Sequence, residues 1–196
     1  MGVLLGEERY VQESIRQFLV HLKYLTDKRT GLFYHGWTFK EGHNFAEAFW
    51  GRGNAWYTAG LVDYLDIVPL PDGVRDFLLT ALERQVAKLA ELQTPSGMWR
   101  TLLDDPTSYE ETSATAGFAY GILKAVRKGY IGEQYRECGL KAMNAVISRI
   151  DARGAVQGVS YGTRMGRTKQ FYKEIPQCPM PYGQSMTLLM LVEGLK

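Results

Sequence analysis

The 196-residue sequence is long enough for one domain with a substantial hydrophobic core. Its 23 basic and 21 acidic residues are spread along the chain and give a net charge of +2, so no basic block indicates binding to nucleic acid or to an anionic membrane. No signal peptide or membrane span is recognisable in the sequence, and a cytoplasmic location is therefore expected.

The cysteines and histidines do not form a pattern typical of a metal site or a disulfide framework. Cys138 and Cys178 are widely separated, and we expect two free, partly buried thiols. The histidines His21, His35 and His43 lack the spacing and the neighbouring acids of a metal-ligand set. The sequence therefore predicts no metal site.

Helical periodicity dominates the chain. Apolar residues recur at intervals of three and four in every long segment, whereas no segment alternates for long between apolar and polar residues. We therefore expect an all-α fold in which strands are at most short pieces in loops. The six predicted helices span approximately Glu7–Thr26, Trp50–Val68, Val74–Gln93, Glu111–Lys128, Glu133–Asp151 and Tyr182–Lys196.

A unit of about 60 residues recurs three times, and each copy consists of a helix, a glycine-containing loop and a second helix. The loop glycines Gly31, Gly97 and Gly154 are 66 and 57 residues apart. The second helices of the three units also align without gaps, as FWGRGNAWYTAGLVDYL, EETSATAGFAYGILKAV and PMPYGQSMTLLMLVEGL. The sequence therefore predicts stacked helical hairpins that fold as one domain over residues 1–196.

The two helices of each unit differ in polarity. The first is amphipathic, whereas the second is apolar or small nearly all round, which predicts burial on every side. An inner ring of buried helices inside an outer ring of amphipathic ones is the arrangement of an α/α toroid. The alternative is an α-solenoid, although its repeats are usually shorter.

Polar side chains recur where the inner helices begin, and the loops that enter these helices should gather at one mouth of the toroid. Ser113 and Thr115 fit either a site or N-capping, since both residue types cap helices. Arg52 does not fit capping, because its charge would lie against the positive end of the helix dipole. It requires an anion, such as a sugar carboxylate. The aligned pairs are Arg52 and Asn54, Ser113 and Thr115, and Tyr182 and Gln184.

Aromatic residues surround Arg52 in the sequence. Trp50 and Trp56 could stack on sugar rings or hold the arginine by cation–π contact, although both would be equally ordinary in a core. His35 precedes the same helix and could reach the same mouth, but a loop histidine is usually only solvated. The predicted substrate-binding set is His35, Trp50, Arg52, Asn54, Trp56 and Ser113.

The sequence resembles a known family of glycosidases. The loop Tyr34-His35-Gly36-Trp37 followed by the motif FWGRGNAW at residues 49–56 is similar to the unsaturated rhamnogalacturonyl hydrolases of glycoside hydrolase family 105, relatives of the unsaturated glucuronyl hydrolases of family 88. The stretches at residues 101–104, 109–114 and 179–184 look similar as well. The resemblance spans nearly the whole chain and implies an (α/α)6 barrel of six hairpins, of which three are present here, in a C-terminal half.

The resemblance also implies an unusual reaction, and this mechanism is not expected to require a cofactor. The family substrate carries a 4,5-unsaturated uronic acid at its non-reducing end, as left by a polysaccharide lyase. One aspartate protonates the vinyl-ether double bond and activates water at the adjacent carbon, and the resulting hemiketal opens and releases the remaining sugar. Family members carry this aspartate upstream of the helix that begins near Glu7, and none of Glu47, Asp104 and Asp105 matches its position. We therefore identify no catalytic residue in the chain.

Three explanations for the half-length match stay open at this point. The active enzyme could be longer, the half-barrel could pair with another half, or the chain could be a carbohydrate-binding or structural protein without turnover. An open half-toroid would expose apolar inner helices over more area than monomers usually tolerate. We therefore expect a homodimer that covers them, and an unsaturated uronic-acid oligosaccharide as the ligand.

Overall fold

The computed structural model describes residues 1–196 and consists of helices joined by loops. All six predicted helices are present, and only two short helices, Gly2–Leu5 and Lys169–Lys173, were not predicted. The fifth predicted helix starts with a 3-10 turn at Glu133–Tyr135 and ends at Ile147, earlier than predicted. The α-helices are α1 (Gly2–Leu5), α2 (Glu8–Leu25), α3 (Gly51–Ile67), α4 (Asp72–Leu92), α5 (Thr112–Arg127), α6 (Arg136–Ile147), α7 (Lys169–Lys173) and α8 (Pro181–Gly194).

The expectation of an all-α fold is confirmed. Strand-type pairing occurs only as isolated bridges, such as Thr26 with Phe33 and Ile150 with Val156. No helix of the chain is both long enough and apolar enough to cross a lipid bilayer. Cys138 and Cys178 are free thiols, both partly buried, as expected.

The inner helix α5 is the centre of the molecule. It packs against α3 on one side, α8 on the other and α6 behind it. Its residues 112–126 are all buried, and several of them belong to the single large hydrophobic core. The prediction that an inner helix is buried on every side is confirmed for α5.

The same prediction is wrong for α3 and α8, because each has an inner neighbour on one side only. Trp56 of α3 is 47% exposed, and Leu188 and Val192 of α8 are 56% and 54% exposed. These two uncovered surfaces, here termed the α3 edge and the α8 edge, are the two ends of the inner row. They are apolar because the sequence of each helix is apolar all round.

The three loop glycines share one backbone conformation. Gly31, Gly97 and Gly154 have φ values of 76°, 90° and 81°, in the left-handed region that glycine adopts without steric cost. Each glycine turns the chain from the outer helix toward the inner helix of its unit. The predicted repeat is therefore visible in the backbone.

The inner helices hold these loops by an equivalent contact in each unit. Two residues after the glycine, a backbone N–H donates to a side-chain oxygen near the start of the inner helix. Such bonds satisfy buried amides and fix the loops that form the mouth. The pairs are Phe33 N to Asn54 Oδ1 at 2.8 Å, Trp99 N to Thr115 Oγ1 at 3.0 Å, and Val156 N to Gln184 Oε1 at 3.1 Å.

Candidate functional site

The guanidinium of Arg52 lies at the centre of the mouth, where α3, α5, α8 and the loop after α6 meet. Its side chain is only 4% exposed. Nη1 donates to the carbonyl and the hydroxyl of Ser160 at 2.8 and 2.7 Å, and Nη2 donates to the carbonyl of Tyr161 at 3.2 Å and Oγ1 of Thr163 at 3.0 Å. The arginine thereby joins the start of α3 to residues 160–163.

The anion beside Arg52 comes from the protein. Oε1 of Glu111 lies 3.4 Å from Nη1, and the Glu111 side chain is fully buried. Glu111 accepts from Ala114 N at 2.6 Å, from Ser160 N at 2.8 Å and from Ser113 Oγ at 2.8 Å. The sequence suggested a sugar carboxylate as the partner of Arg52. In the structure Glu111 neutralises the guanidinium, because a buried cation needs a permanent counter-charge.

Glu111 is also the N-cap of α5, so the capping alternative for Ser113 and Thr115 was wrong. The amide of Ala114 is satisfied by the Glu111 carboxylate, which suits the positive end of the helix dipole. Ser113 instead donates to Glu111 and accepts from Nη1 of Arg52 at 3.3 Å. Thr115 serves the loop contact described above.

Two aromatic rings enclose the guanidinium. The Arg52 carbon Cζ lies 4.7 Å from the ring centroid of Trp50 and 4.4 Å from that of Tyr182. Both distances are within cation–π range. The hydroxyl of Tyr182 donates to the Ser160 carbonyl at 2.6 Å. Arg52, Ser113 and Tyr182 occupy equivalent positions of the three repeats, and the structure brings them together as predicted.

His35 lies on the other side of Trp50, with ring centroids 4.2 Å apart. Its Nδ1 lies 2.7 Å from the hydroxyl of Tyr172, and its backbone N–H donates to the Ala48 carbonyl. Burial, reinforced by the charge of Arg52, lowers the pKa of His35 from 6.5 to about 4. The imidazole is therefore neutral near pH 7.

Two adjoining cavities open beside these residues along the α3 edge. One of about 150 Å³ is bordered by His35, Tyr34 and Tyr57. The other, of about 490 Å³, is bordered by Trp56, Tyr57 and Phe18, and both share His21 and Gly53. The aromatic lining with a few polar groups is typical of a ligand site. A larger cavity of about 750 Å³ beside α1 is lined almost wholly by apolar residues and offers little to orient a polar ligand.

The six predicted site residues separate into two groups. His35 and Trp56 border the cavities, and Trp50 lies between His35 and Arg52 with 8% of its surface exposed. Arg52, Asn54 and Ser113 are 3%, 1% and 0% exposed and have partners within the protein. In this structure none of these three side chains faces the cavities, so their direct contact with a substrate stays a prediction.

The loop acids Glu47, Asp104 and Asp105 border neither of these two cavities. Asp104 pairs with Lys169 at 2.8 Å. Hydrogen bonds from Thr107 lower the pKa of Asp105 to about 2. Glu47 is exposed, with a positive φ of 50°, and makes no side-chain hydrogen bond or ion pair. No group of three or more His, Cys, Asp and Glu side chains is arranged to hold a metal ion.

Sequence reasoning missed several residues of this region, among them Glu111 and Tyr172. An acid directly before an inner helix was a usable signal for Glu111, but the adjacent Glu110 gave the same signal. Tyr172 lies on a helix of five residues within an irregular segment, where no periodicity marks a buried face. Only the fold reveals that it reaches His35.

The chain was compared with known protein families and curated proteins. Residues 1–196 match the model of Glycosyl Hydrolase Family 88. The chain is 31% identical to the unsaturated rhamnogalacturonyl hydrolase YesR of Bacillus subtilis, over 100% of this chain and 56% of that protein. It therefore spans about half the length of this curated relative.

Solved structures share the fold. A possible member of glycoside hydrolase family 105 from Salmonella enterica serovar Paratyphi A is 49% identical, with a TM-score of 0.97 over 99% of this chain and 52% of that chain. A family 105 glycoside hydrolase from C. acetobutylicum is 26% identical, with a TM-score of 0.88 over 98% of this chain and 60% of that one. These neighbours support the α/α-toroid architecture over an α-solenoid.

Proposed function

The chain belongs to glycosyl hydrolase family 88, and from this membership we propose that it acts on oligosaccharides that begin with an unsaturated uronic acid. The reaction is hydration of the 4,5 double bond, followed by release of the remaining sugar. Rhamnogalacturonyl or related pectin fragments are the proposed substrates, in line with the name of the Bacillus relative.

The observation that carries this proposal is the pair of cavities beside His35 and Trp56. An exposed indole offers a flat face for the C–H face of a pyranose, and a neutral imidazole offers one hydrogen bond. Trp56 lies on the α3 edge and is 47% exposed. A surface of this kind suits a sugar better than it suits a purely apolar ligand.

We assign the six site residues different roles. His35 and Trp56 contact the sugar, and Trp50 supports the imidazole. Arg52, Ser113 and Asn54 do not contact the sugar. They shape the site indirectly, because their hydrogen bonds fix the loops at residues 160–163 and 33–34.

The proposal includes a half-barrel. Three hairpins correspond to half of a six-hairpin (α/α)6 barrel, and the α3 and α8 edges are where the ring would continue. The proton-donating aspartate then belongs to the half of the barrel that residues 1–196 do not span. That half is supplied either by further residues of the same polypeptide or by a partner. For the isolated 196-residue chain we propose a homodimer whose second copy covers both edges and forms the facing wall of the cavity beside Trp56. A cytoplasmic location stays a prediction.

The test is incubation with an unsaturated uronyl disaccharide while the ultraviolet absorbance of its conjugated double bond is followed. Loss of absorbance supports the proposed hydration and would mean that a carboxylate of this chain or of its second copy takes the place of the missing aspartate. A His35→Gln variant with slower loss ties the reaction to this site. Binding without loss of absorbance would support a carbohydrate-binding half-barrel instead. Neither binding nor loss of absorbance would overturn the proposal.

The dimer is tested separately by sedimentation at micromolar concentration. Burial of the two edges predicts a dimer that Leu188→Glu on the α8 edge disrupts, because a charge at that surface would be desolvated. Glu137→Lys, at an exposed position of the outer helix α6, is the control for a change of charge. A clean monomer of the unmodified 196-residue chain contradicts the pairing.

A further inference from the structure

A fully buried phenol lies behind His35. Tyr172 is carried by α7, and none of its surface is exposed. Its ring belongs to a small apolar cluster that includes Trp50 and Leu102. Its hydroxyl lies 2.7 Å from Nδ1 of His35, close enough for a strong hydrogen bond.

The direction of that bond follows from the second neighbour of the hydroxyl. The backbone N–H of Gly166 donates to the Tyr172 oxygen at 3.1 Å. An amide can only donate, so the phenol oxygen is the acceptor there. The phenol's own proton needs an acceptor elsewhere, and Nδ1 of His35 is the only other hydrogen-bond partner of that hydroxyl.

The opposite direction would be costly. If Nδ1 carried the proton, two N–H groups would point at the phenol oxygen and the phenol O–H would be left unpaired in the interior. An unpaired donor in the interior loses its hydrogen bonds to water without replacement, and such groups are rare in folded proteins. Burial also raises the pKa of Tyr172, so the phenol keeps its proton.

We propose that Tyr172 is a positioning residue that donates its O–H to Nδ1 of His35 and so fixes the ring proton on Nε2, which then donates to an acceptor oxygen of the ligand. Nε2 makes no hydrogen bond within the protein, and His35 borders the smaller cavity. A neutral imidazole has one donor and one acceptor nitrogen, so occupation of Nδ1 settles the character of the other.

This assignment restricts what His35 does. With Nδ1 occupied and Nε2 protonated, neither nitrogen has a free lone pair, so His35 is a hydrogen-bond donor and not a general base. Its ligand partner is an oxygen acceptor, such as a hydroxyl, ring or carboxylate oxygen. The inference rests on the proposed function only for the identity of that ligand as an unsaturated uronyl sugar.

The experiment is a long-range ¹⁵N–¹H correlation spectrum of the histidine rings, which distinguishes Nδ1–H, Nε2–H and doubly protonated imidazole. His35→Gln identifies the His35 signals by their loss. At pH 7 the unmodified protein should show His35 as the Nε2–H tautomer alone. In Tyr172→Phe, where Nδ1 has lost its donor, His35 should show a mixture of the two neutral tautomers.

Tyr182→Phe is the matched control, since it removes a phenol hydroxyl from the same mouth without touching His35. It should leave the His35 tautomer unchanged. An Nδ1–H tautomer in the unmodified protein overturns the proposal, and so does an unchanged tautomer in Tyr172→Phe. If Tyr172→Phe does not fold, the spectrum of the unmodified protein alone decides.

The ligand readout is calorimetric binding of an unsaturated uronyl disaccharide. Loss of one fixed donor predicts binding about two- to tenfold weaker in Tyr172→Phe, from a net hydrogen bond of about 0.5–1.5 kcal/mol. If Tyr172→Phe changes the tautomer but not the affinity, the hydrogen bond from Tyr172 to His35 is supported, and the proposed contact between Nε2 and the ligand is overturned. No binding by any form, with the tautomer as expected, contradicts the proposed function and leaves the geometry intact.

Discussion

Replacement of Arg52 by alanine should destabilise the fold before it affects ligand binding directly. The guanidinium makes hydrogen bonds to residues 160–163 and lies 3.4 Å from the buried carboxylate of Glu111. Removal of one member of a buried ion pair costs about 3–5 kcal/mol, because the other charge is left uncompensated. In a chain of this size that corresponds to a decrease of about 6–20 °C in melting temperature.

Calorimetric or circular-dichroism melting measures this loss, with Arg29→Ala as the control. The Arg29 side chain is 90% exposed, so its replacement should change stability by no more than about 0.5 kcal/mol. A second check is the double variant Arg52→Ala, Glu111→Ala. Since it leaves no unpaired charge, its loss should be smaller than the sum of the two single losses.

The reasoning is refuted if Arg52→Ala has the same melting temperature as Arg29→Ala but no longer binds the ligand. That result would mean that Glu111 does not depend on Arg52 and that the guanidinium serves the sugar carboxylate, as the sequence alone suggested. Reduced stability together with reduced binding fits the structural role, since residues 160–163 would lose their anchor.

Three further predictions concern pH, packing and the edge of the cavity. Burial holds the pKa of His35 near 4 in the folded state instead of 6.5, so between these pH values the unfolded state binds the proton more strongly than the folded state does. The urea midpoint of unfolding should therefore fall as the pH drops from 6.5 toward 4, and it should fall less in His35→Gln. Gly121→Ala should cost about 1–3 kcal/mol in thermal unfolding, since its Cβ would lie 2.8–3.1 Å from Thr58, whereas Gly73→Ala, with nothing within 4 Å, should not destabilise. Trp56→Ala should weaken disaccharide binding in calorimetry with little loss of stability. Trp99 is fully buried, so Trp99→Ala should lower the free energy of unfolding by about 3–5 kcal/mol. Equal losses of stability in the two variants would contradict the assignment of Trp56 to the cavity.

The helices and their repeat could be predicted from the sequence because both depend on local patterns. Apolar spacing located the six long helices, and the spacing of Gly31, Gly97 and Gly154 located the turns between outer and inner helices. Burial of α3 and α8 could not be predicted in the same way. An apolar helix indicates that a partner is needed, but it does not say whether the partner lies within the same 196 residues.

The candidate site could be predicted only in part, for a related reason. The motif around Arg52 indicated a cluster, and the equivalence of Arg52, Ser113 and Tyr182 indicated that the cluster lies at one mouth. The choice of partner for the arginine depended on Glu111, which is 59 residues away in the sequence. Contacts of this separation have no local signal, and the same holds for Tyr172 and His35 at a separation of 137 residues.

Equivalent positions of the three inner helices perform two different tasks, and this division explains which substitutions can separate folding from function. Asn54, Thr115 and Gln184 each hold the loop that precedes their helix, while Arg52 connects the helices to residues 160–163. A substitution at any of these positions changes the mouth and the core together. His35 lies in front of that framework and meets the cavity, so a change there can alter ligand binding while the framework stays in place.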